Sequence, residues 1–123
     1  MGAKKQIQVV FKIKDQEHWE KTISSENDKV SVVDCHLDWC GPCEVIEPNF
    51  RQMYFLIENA ANRLEFLTVS DKELPEGKAD QMKLSAKPRF LIYKDGVCHK
   101  EVDGVLINDI ENEVNRLLPP SDD

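Results

Sequence analysis

Two cysteines three positions apart constrain the fold of this chain more than any other feature of its sequence. They belong to a Trp-Cys-Gly-Pro-Cys sequence at residues 39–43, which follows an almost continuous apolar run at residues 30–37. Thiols at this spacing lie on one face of a helical turn, close enough to form a disulfide after modest adjustment. At a helix start, the unpaired backbone N–H groups would also favour the thiolate of the first cysteine. The sequence therefore predicts a redox dithiol between a buried strand and a helix.

A zinc site is the main alternative for Cys40 and Cys43. Such a site needs a second pair of ligands, usually another Cys-x-x-Cys pair or two histidines. The other cysteines and the three histidines do not have that spacing, and the adjacent Cys98 and His99 have poor geometry for sharing a metal. Two incidental cysteines are a weaker alternative, because the five-residue sequence is highly specific. We therefore predict no metal and no cofactor.

Length and charge limit the remaining classes of function. The chain has 123 residues, about the length of one domain, and we expect a single domain over 1–123 with a short acidic tail at 119–123. Its net charge of −7 disfavours binding to nucleic acids or anionic membranes. We find no signal peptide and no spanning segment, which predicts a cytoplasmic protein. Cytosolic thiols stay reduced, so four cysteines indicate catalysis rather than structural disulfides.

Apolar periodicity predicts five strands and four helices in the order β-α-β-α-β-α-β-β-α. This order is typical of a mixed central sheet with helices on both faces. The predicted strands lie at 7–13, 30–37, 64–69, 90–93 and 97–102, the last two forming a hairpin across Asp95-Gly96; the predicted helices lie at 15–25, after the dithiol, within 74–85 and from 107 to 117.

The helix after the dithiol is predicted to be long. Ile46, Phe50, Met53 and Ile57 recur at spacings of four, three and four, which marks a buried helical face. Pro48 falls one turn into this pattern, where it should kink the helix.

This order and the dithiol sequence together resemble the thioredoxin family over essentially the whole chain, which implies a thioredoxin fold. Asp34 matches the buried acid of the family's central strand, and Pro48 matches the proline that kinks its long helix. Lys87-Pro88 precedes a strand, like the cis-proline that faces the dithiol in the family. Gly104 matches a glycine that lets a partner approach the site.

The resemblance also implies roles for the dithiol residues. Cys40 would be the thiolate that attacks a partner disulfide, and Cys43 the more buried thiol that resolves the mixed disulfide. Gly41 and Pro42 would shape the turn, and Trp39 would cover the site.

Two positions keep alternative interpretations. A buried Asp34 should have a raised pKa and could accept the proton of Cys43, or it could be a satisfied structural carboxylate. A lysine that often neighbours this acid in thioredoxins is absent, with Leu67 near that place. Position alone makes Pro88 an ordinary trans proline starting a strand, whereas the family pattern makes it cis.

The rim of the dithiol departs from the family pattern. Glu44 stands where thioredoxins commonly carry a basic residue, and Asp38 and Glu47 add further negative charge. Lys87 and Arg89 flank the proline, and we expect them to face the dithiol and offset Glu44. These charges are either ordinary solvated surface charges or a docking surface that favours a dedicated partner over many substrates.

The other cysteines and histidines are expected to be peripheral. Cys35 should be a small core residue on the central strand. Cys98, just beyond the hairpin turn, should be exposed, and a regulatory or intermolecular role is its alternative. His36 and His99 are interpreted as core or surface residues, because thiol–disulfide exchange needs no histidine.

Within the family, the chain is similar to the thioredoxin-like light chains of axonemal outer-arm dynein and to the thioredoxin domain of thioredoxin–nucleoside diphosphate kinase proteins. The similarity lies in residues 4–9, the helix around Trp19 and residues 33–50. It implies a dithiol-bearing subunit that binds a dynein heavy chain in the cilium or axoneme. The alternative is a free cytosolic thioredoxin that reduces disulfides in protein substrates.

Overall fold

The computed structural model describes residues 7–85 and 87–119, apart from the side chain of Ala79. Five strands form one sheet in the spatial order β1-β3-β2-β4-β5. The first three strands along the chain run parallel, and the last two pair antiparallel, which gives the predicted mixed sheet. The strands are β1 Val10–Lys12, β2 Val30–His36, β3 Leu64–Ser70, β4 Arg89–Lys94 and β5 Val97–Asp103.

Helices lie between the strands and after the last one. The helices are α1 Gln16–Thr22, α2 Glu47–Leu56, α3 Ala60–Arg63, α4 Lys78–Met82 and α5 Ile107–Leu117. The short α3 was not predicted. It arises because the expected long helix ends at Leu56 and Asn59 takes a left-handed conformation, with φ 55°, before one further turn.

Helices cover both faces of the sheet, as expected. On one face, Phe50 of α2 and Val114 of α5 pack against β2, β3 and β4. On the other face, Trp19 of α1 and Met82 of α4 cover residues of β2 and β3. The fold is therefore a helix–sheet–helix sandwich, and the buried β2 runs through its centre.

Aromatic stacking fixes α2 against the sheet. The Phe50 ring stacks on Phe66 of β3 with centroids 4.2 Å apart, and it meets Phe90 of β4 edge-on at 6.0 Å. All three side chains are at most 1% exposed. The Phe50 ring thus packs α2, the helix that follows the dithiol, against two strands.

Pro48 does not kink α2. The helix begins at Glu47, so Pro48 lies in its first turn, where a backbone N–H would have no intrahelical partner. The expectation of an interior kink was wrong because the helix starts later than its apolar pattern indicates.

The hairpin between β4 and β5 follows the prediction. Asp95 and Gly96 have φ angles of 55° and 80°, the two positive values that a tight turn between right-twisted strands requires. The first strand is shorter than predicted, and Phe11 is 48% exposed because β1 lies at the sheet edge.

Parts of two predictions lie outside the described residues. These are residues 4–6 of the similarity to dynein light chains and residues 120–123 of the acidic tail. Within 7–85 and 87–119, no helix combines the length and apolar character needed to cross a bilayer.

Candidate active site

The dithiol lies in the loop that joins β2 to α2. The Cys40 and Gly41 N–H groups both donate to the Leu37 carbonyl, at 3.0 and 3.2 Å, which closes a tight turn after the strand. Gly41 has φ +75°, a backbone conformation that glycine adopts without strain. The sequence predicted the first thiol at a helix start, but α2 begins only at Glu47, so neither thiol lies at the start of this helix. Cys43 is the nearer one, four residues before it.

The two thiols differ in exposure. Cys40 is exposed and Cys43 is half-buried, and both are free thiols. This asymmetry suits an attacking and a resolving cysteine, roles that stay predictions. Trp39, next to Cys40 in sequence, is 77% exposed, and its covering role stays a prediction.

Asp34 lies beneath the dithiol loop, on β2, and is 2% exposed. Its Oδ2 accepts the backbone N–H of Cys43 at 2.8 Å and lies 3.4 Å from Thr68 Oγ1. Its Oδ1 has no hydrogen-bond partner among the described residues. Burial raises the pKa of this carboxyl, and the Cys43 N–H, the charge of His36 and Thr68 oppose that effect. The expected raised pKa is confirmed, and the carboxyl is only partly satisfied.

Cys43 is placed among opposing influences. Burial raises the pKa of its thiol, and the nearby charge of Asp34 raises it further. Backbone N–H groups of Ile46 and Val45, just before α2, lower it. The effect of burial is the larger one, so the pKa of Cys43 is raised overall and its thiol favours the neutral form.

The neighbour of Asp34 on β3 is Thr68, not Leu67. The parallel register pairs Asp34 with Thr68, which puts the two side chains on the same face of the sheet. Leu67 pairs with Val33 and packs in the core of the opposite face. Leu67 is thus next in sequence to the residue beside the buried acid, and that residue contributes a hydroxyl.

His36 is buried, as its core interpretation expected, but its position beside Thr68 and the buried acid was not predicted. It is 8% exposed, and its Nδ1 lies 3.1 Å from Thr68 Oγ1. The signal was present in the sequence, because residues two apart on a strand point to one face. Since β2 includes both Asp34 and His36, a functional acid at the first position places the histidine beside the site.

Two cavities flank the dithiol loop. One of about 460 Å³ is lined by Asp34, Cys43 and Thr68. The other, of about 240 Å³, is lined by His36, Cys40 and Pro88, with Cys43 and other loop residues between them. Cys43 therefore borders both cavities, whereas Cys40 opens only to the second.

Pro88 and Gly104 meet at the sheet end nearest the dithiol. The Pro88 carbonyl accepts the Gly104 N–H at 2.8 Å, and Pro88 lines the cavity beside Cys40. The described residues contain no cis peptide bond, so the expected cis form of Pro88 was wrong; the proline is trans and immediately precedes β4. Gly104 has φ +95°, and a Cβ there would approach Lys87 Cδ to 3.2 Å.

Lys87 and Arg89 pair with carboxylates of β5. Lys87 Nζ is 3.4 Å from Asp103 Oδ2, and Arg89 lies 3.7 Å from Glu101 and 3.9 Å from Asp103. Only Pro88 of this segment lines the cavity beside Cys40. The observed contacts of both cations therefore run along the sheet edge, which gives no support to their expected placement opposite Glu44.

The acidic rim is partly neutralised. Lys72 pairs with Asp38 at 3.4 Å, and Arg51 pairs with Glu47 at 2.7 Å. Glu44 is exposed and lines both cavities. The described ion pairs thus leave Glu44 as the rim carboxylate next to the thiols.

The remaining cysteines lie where they were predicted. Cys35 is fully buried on β2, and Cys98 is exposed on β5. His99, also on β5, is a surface residue. Among residues 7–85 and 87–119, no group of three His, Cys, Asp or Glu side chains is arranged to hold a metal.

Comparison with known proteins yields one family. A family model described as thioredoxin matches residues 9–116. The chain is 29% identical over 114 residues to the Chlamydomonas reinhardtii dynein 14 kDa light chain of the flagellar outer arm, covering 90% of this chain and 85% of that protein. It is 34% identical over 105 residues to thioredoxin H2-2 of Oryza sativa subsp. japonica, covering 85% and 74%.

Solved structures show the same architecture. The structure of thioredoxin NaTrxh from Nicotiana alata aligns with a TM-score of 0.70 at 24% identity, covering 96% of this chain and 100% of that one. Reduced thioredoxin pre-protein from Schistosoma mansoni aligns with a TM-score of 0.66 at 26% identity, covering 89% and 99%.

Proposed function

This chain belongs to the thioredoxin family, and from that premise we propose that Cys40 and Cys43 exchange with disulfides in protein partners. The observation that carries the proposal is the pairing of an exposed Cys40 with a half-buried Cys43 whose backbone is bonded to a buried acid. No metal or cofactor enters the proposed reaction, and the chain is proposed to act as one domain.

The proposed reaction has two steps. The Cys40 thiolate attacks one sulfur of the partner disulfide, forming a mixed disulfide and releasing the other partner sulfur as a thiolate. Cys43 then attacks the Cys40 sulfur, and the second partner sulfur leaves. The partner gains two electrons and, after proton uptake, two thiols. The chain is left with a Cys40–Cys43 disulfide.

Asp34 is proposed to accept the proton of Cys43 in the second step. It lines a cavity together with Cys43, and its own raised pKa favours holding a proton there. Its bond to the Cys43 N–H fixes the carboxyl near the resolving residue while leaving Oδ1 without a partner among the described groups.

The partner would dock on the cavity beside Cys40. Pro42 and Pro88 border it, and exposed Trp39 lies next to it in sequence. Gly41 keeps the turn tight, and Gly104 bonds the backbone of Pro88. Lys87 is proposed to contact a partner from the sheet edge, where it is paired with Asp103.

Insulin reduction with dithiothreitol as the electron source tests the chemistry. Wild type should accelerate the precipitation of reduced insulin, and Cys40→Ser should abolish the acceleration. Cys98→Ser is the matched control, because it removes an exposed thiol outside the site. Equal rates for wild type and Cys40→Ser would reject the proposal.

A role as a light-chain subunit of an outer-arm dynein is proposed for the biological setting. The 29% identity to a flagellar outer-arm light chain, over 90% of this chain, supports it. The partner would be a dynein heavy chain, and the location the cytoplasm and the axoneme. The alternative is a free cytosolic reductase, which the likeness to plant H-type thioredoxins supports.

Native purification separates these two settings. The tagged chain would be expressed in cells that build motile cilia and extracted gently with salt from isolated axonemes. A dynein subunit should sediment with heavy chains, and Cys43→Ser should stabilise any mixed disulfide with its partner. Recovery wholly as a free monomer in the cytosolic fraction would favour the reductase alternative.

A further inference from the structure

His36 is a buried titratable side chain that the two-cysteine reaction does not use. Its Nδ1 lies 3.1 Å from Thr68 Oγ1, and the same hydroxyl lies 3.4 Å from Asp34 Oδ2. The contact with Asp34 is the longer and weaker of the two. One hydroxyl group therefore lies between an imidazole and a buried carboxyl, and the three side chains share one face of the sheet.

The hydrogen-bonding capacities of these groups allow two arrangements. A threonine hydroxyl has one hydrogen to donate and can also accept, and a neutral imidazole donates from one nitrogen and accepts at the other. With Asp34 ionised, Nδ1–H of His36 donates to Thr68, and Thr68 donates to the carboxylate. With Asp34 protonated, the carboxyl donates to Thr68, and Thr68 donates to Nδ1.

The ends of this three-residue chain open into different cavities. Asp34 and Cys43 line the cavity of about 460 Å³. His36 lines the cavity of about 240 Å³ that also contains Cys40 and Pro88. The imidazole is thus the member of the chain that lines the same cavity as the exposed thiol.

We propose that His36 and Thr68 form a proton relay that connects Asp34 to the cavity beside Cys40. The proposal rests on the proposed dithiol function, since it supplies the exit for the proton that Asp34 takes from Cys43. His36 and Thr68 act through Asp34: they carry its proton and form no bond to the reacting sulfurs.

The relay moves one proton and no electrons. The Asp34 carboxyl gives its proton to the Thr68 oxygen, and the Thr68 hydrogen passes to His36 Nδ1. His36 Nε2 releases its hydrogen to water in the cavity beside Cys40. Asp34 ends as a carboxylate, Thr68 is unchanged, and the imidazole ends as its other neutral tautomer. The reverse sequence returns a proton to Asp34.

Several titratable groups surround His36. On its own strand Asp34 faces it, and the charge of His36 lowers the pKa of Asp34 against the larger effect of burial. The loop contributes Cys40, Cys43 and Glu44 to the same cavity. After β3, Asp71 donates its backbone N–H to the His36 carbonyl at 2.8 Å. The segment before β4 contributes the uncharged Pro88 to this cavity.

A competing route runs through the larger cavity, which Asp34 and Cys43 line directly. Water there would take the proton from Asp34 without help from Thr68. Removing the hydroxyl while keeping the shape of the side chain distinguishes the two routes.

The test compares wild type, Thr68→Val and Thr68→Ser in two measurements, after thermal unfolding confirms that all three are folded. The first is the single-turnover rate, between pH 5 and 9, at which Cys43 releases a thiol probe from a mixed disulfide with Cys40. The second is the ¹⁵N NMR shifts of the His36 ring nitrogens over the pH range in which a ¹³C-labelled Asp34 carboxyl titrates.

The relay predicts that Thr68→Val slows release by about tenfold or more and changes its pH profile, while Thr68→Ser stays close to wild type. It also predicts that the His36 tautomer changes together with Asp34 titration in wild type and Thr68→Ser, and not in Thr68→Val. Equal release rates in all three proteins would overturn the relay. So would a wild-type His36 tautomer that stays the same while Asp34 titrates. Absence of insulin reduction by wild type would reject the dithiol function instead, and the NMR measurement would still decide the relay.

Discussion

The backbone N–H of Cys43 donates to Asp34 Oδ2 at 2.8 Å, so the buried acid is fixed to the main chain of the second cysteine. This bond connects the centre of the sheet to a loop whose first thiol is exposed. It also holds one oxygen of a carboxyl that burial destabilises when ionised, while the other has no partner among the described residues. Burial therefore favours the protonated form of this acid beside the dithiol.

Asp34→Asn should stabilise the protein at neutral pH. The pKa of Asp34 is raised above its ordinary 3.8, so above pH 3.8 the folded state retains a proton that the unfolded state has lost. The free energy of unfolding of wild type therefore falls as pH rises from 3.8 through the raised pKa. An asparagine side chain does not titrate, so it adds no pH dependence to the free energy of unfolding, and its oxygen can still accept the Cys43 N–H.

Urea unfolding of both proteins at pH 4 and pH 7.5 measures this effect. We expect Asp34→Asn to be more stable by about 1–3 kcal/mol at pH 7.5, with a smaller difference at pH 4. The other carboxyl groups titrate in both proteins and cancel in the comparison. If the stability difference between the two proteins were the same at both pH values, burial would not raise the pKa of Asp34.

The same substitution should make Cys43 react faster with iodoacetamide, a reaction that depends on the thiolate fraction and, unlike the proposed exchange step, needs no proton acceptor. Burial raises the pKa of the Cys43 thiol and the charge of Asp34 raises it further, so removing that charge should increase the thiolate fraction at pH 8. In a Cys40→Ser, Cys98→Ser background, we expect iodoacetamide to modify Cys43 about two- to tenfold faster when Asp34 is replaced by Asn.

Peptide mapping by mass spectrometry would assign the modified thiol in that experiment, because Cys35 is fully buried and should not compete. Glu44→Gln in the same background is the control, since it removes an exposed charge next in sequence. A slower or unchanged rate for Asp34→Asn would contradict the contribution of the Asp34 charge to the raised pKa of Cys43.

Local patterns predicted most of the fold but not the neighbours of the buried acid. The apolar run of β2 and the Asp95-Gly96 turn each depend on neighbours in sequence, and each appears as predicted. Thr68 could not be placed in this way. Its register against Asp34 joins strands 34 residues apart, and a shift by one residue exchanges Thr68 with Leu67.

The start of α2 was predicted poorly for a related reason. A proline after apolar residues fits either the interior of a kinked helix or its first turn, and the apolar spacing of Ile46 and Phe50 is the same in both cases. His36 was overlooked for a different reason, since its position two residues after Asp34 on a strand already placed it on the same face.

Pro48→Ala tests the start of α2. In the first turn, proline removes no intrahelical hydrogen bond, so its replacement should change the free energy of unfolding by less than about 1 kcal/mol. A proline inside the helix would instead cost about 3 kcal/mol, and alanine would recover much of that. Urea unfolding with and without the substitution distinguishes these cases, and a gain above about 2 kcal/mol would place Pro48 in the helix interior.

Phe50→Ala should be the most damaging single change in α2. The ring is 1% exposed and contacts Phe66 and Phe90, so its loss should lower the free energy of unfolding by about 3–5 kcal/mol. Phe55→Ala is the matched control on the same helix. Its ring is 58% exposed, so its loss should cost less than about 1 kcal/mol.

Because Phe50 also lines the cavity that contains Asp34 and Cys43, its removal should reach the site as well. We expect amide exchange at Cys43, whose N–H is bonded to Asp34, to accelerate in Phe50→Ala and to stay near wild type in Phe55→Ala. Hydrogen exchange by NMR would measure both. Equal acceleration in the two variants would show that the dithiol loop is held independently of the ring beneath it.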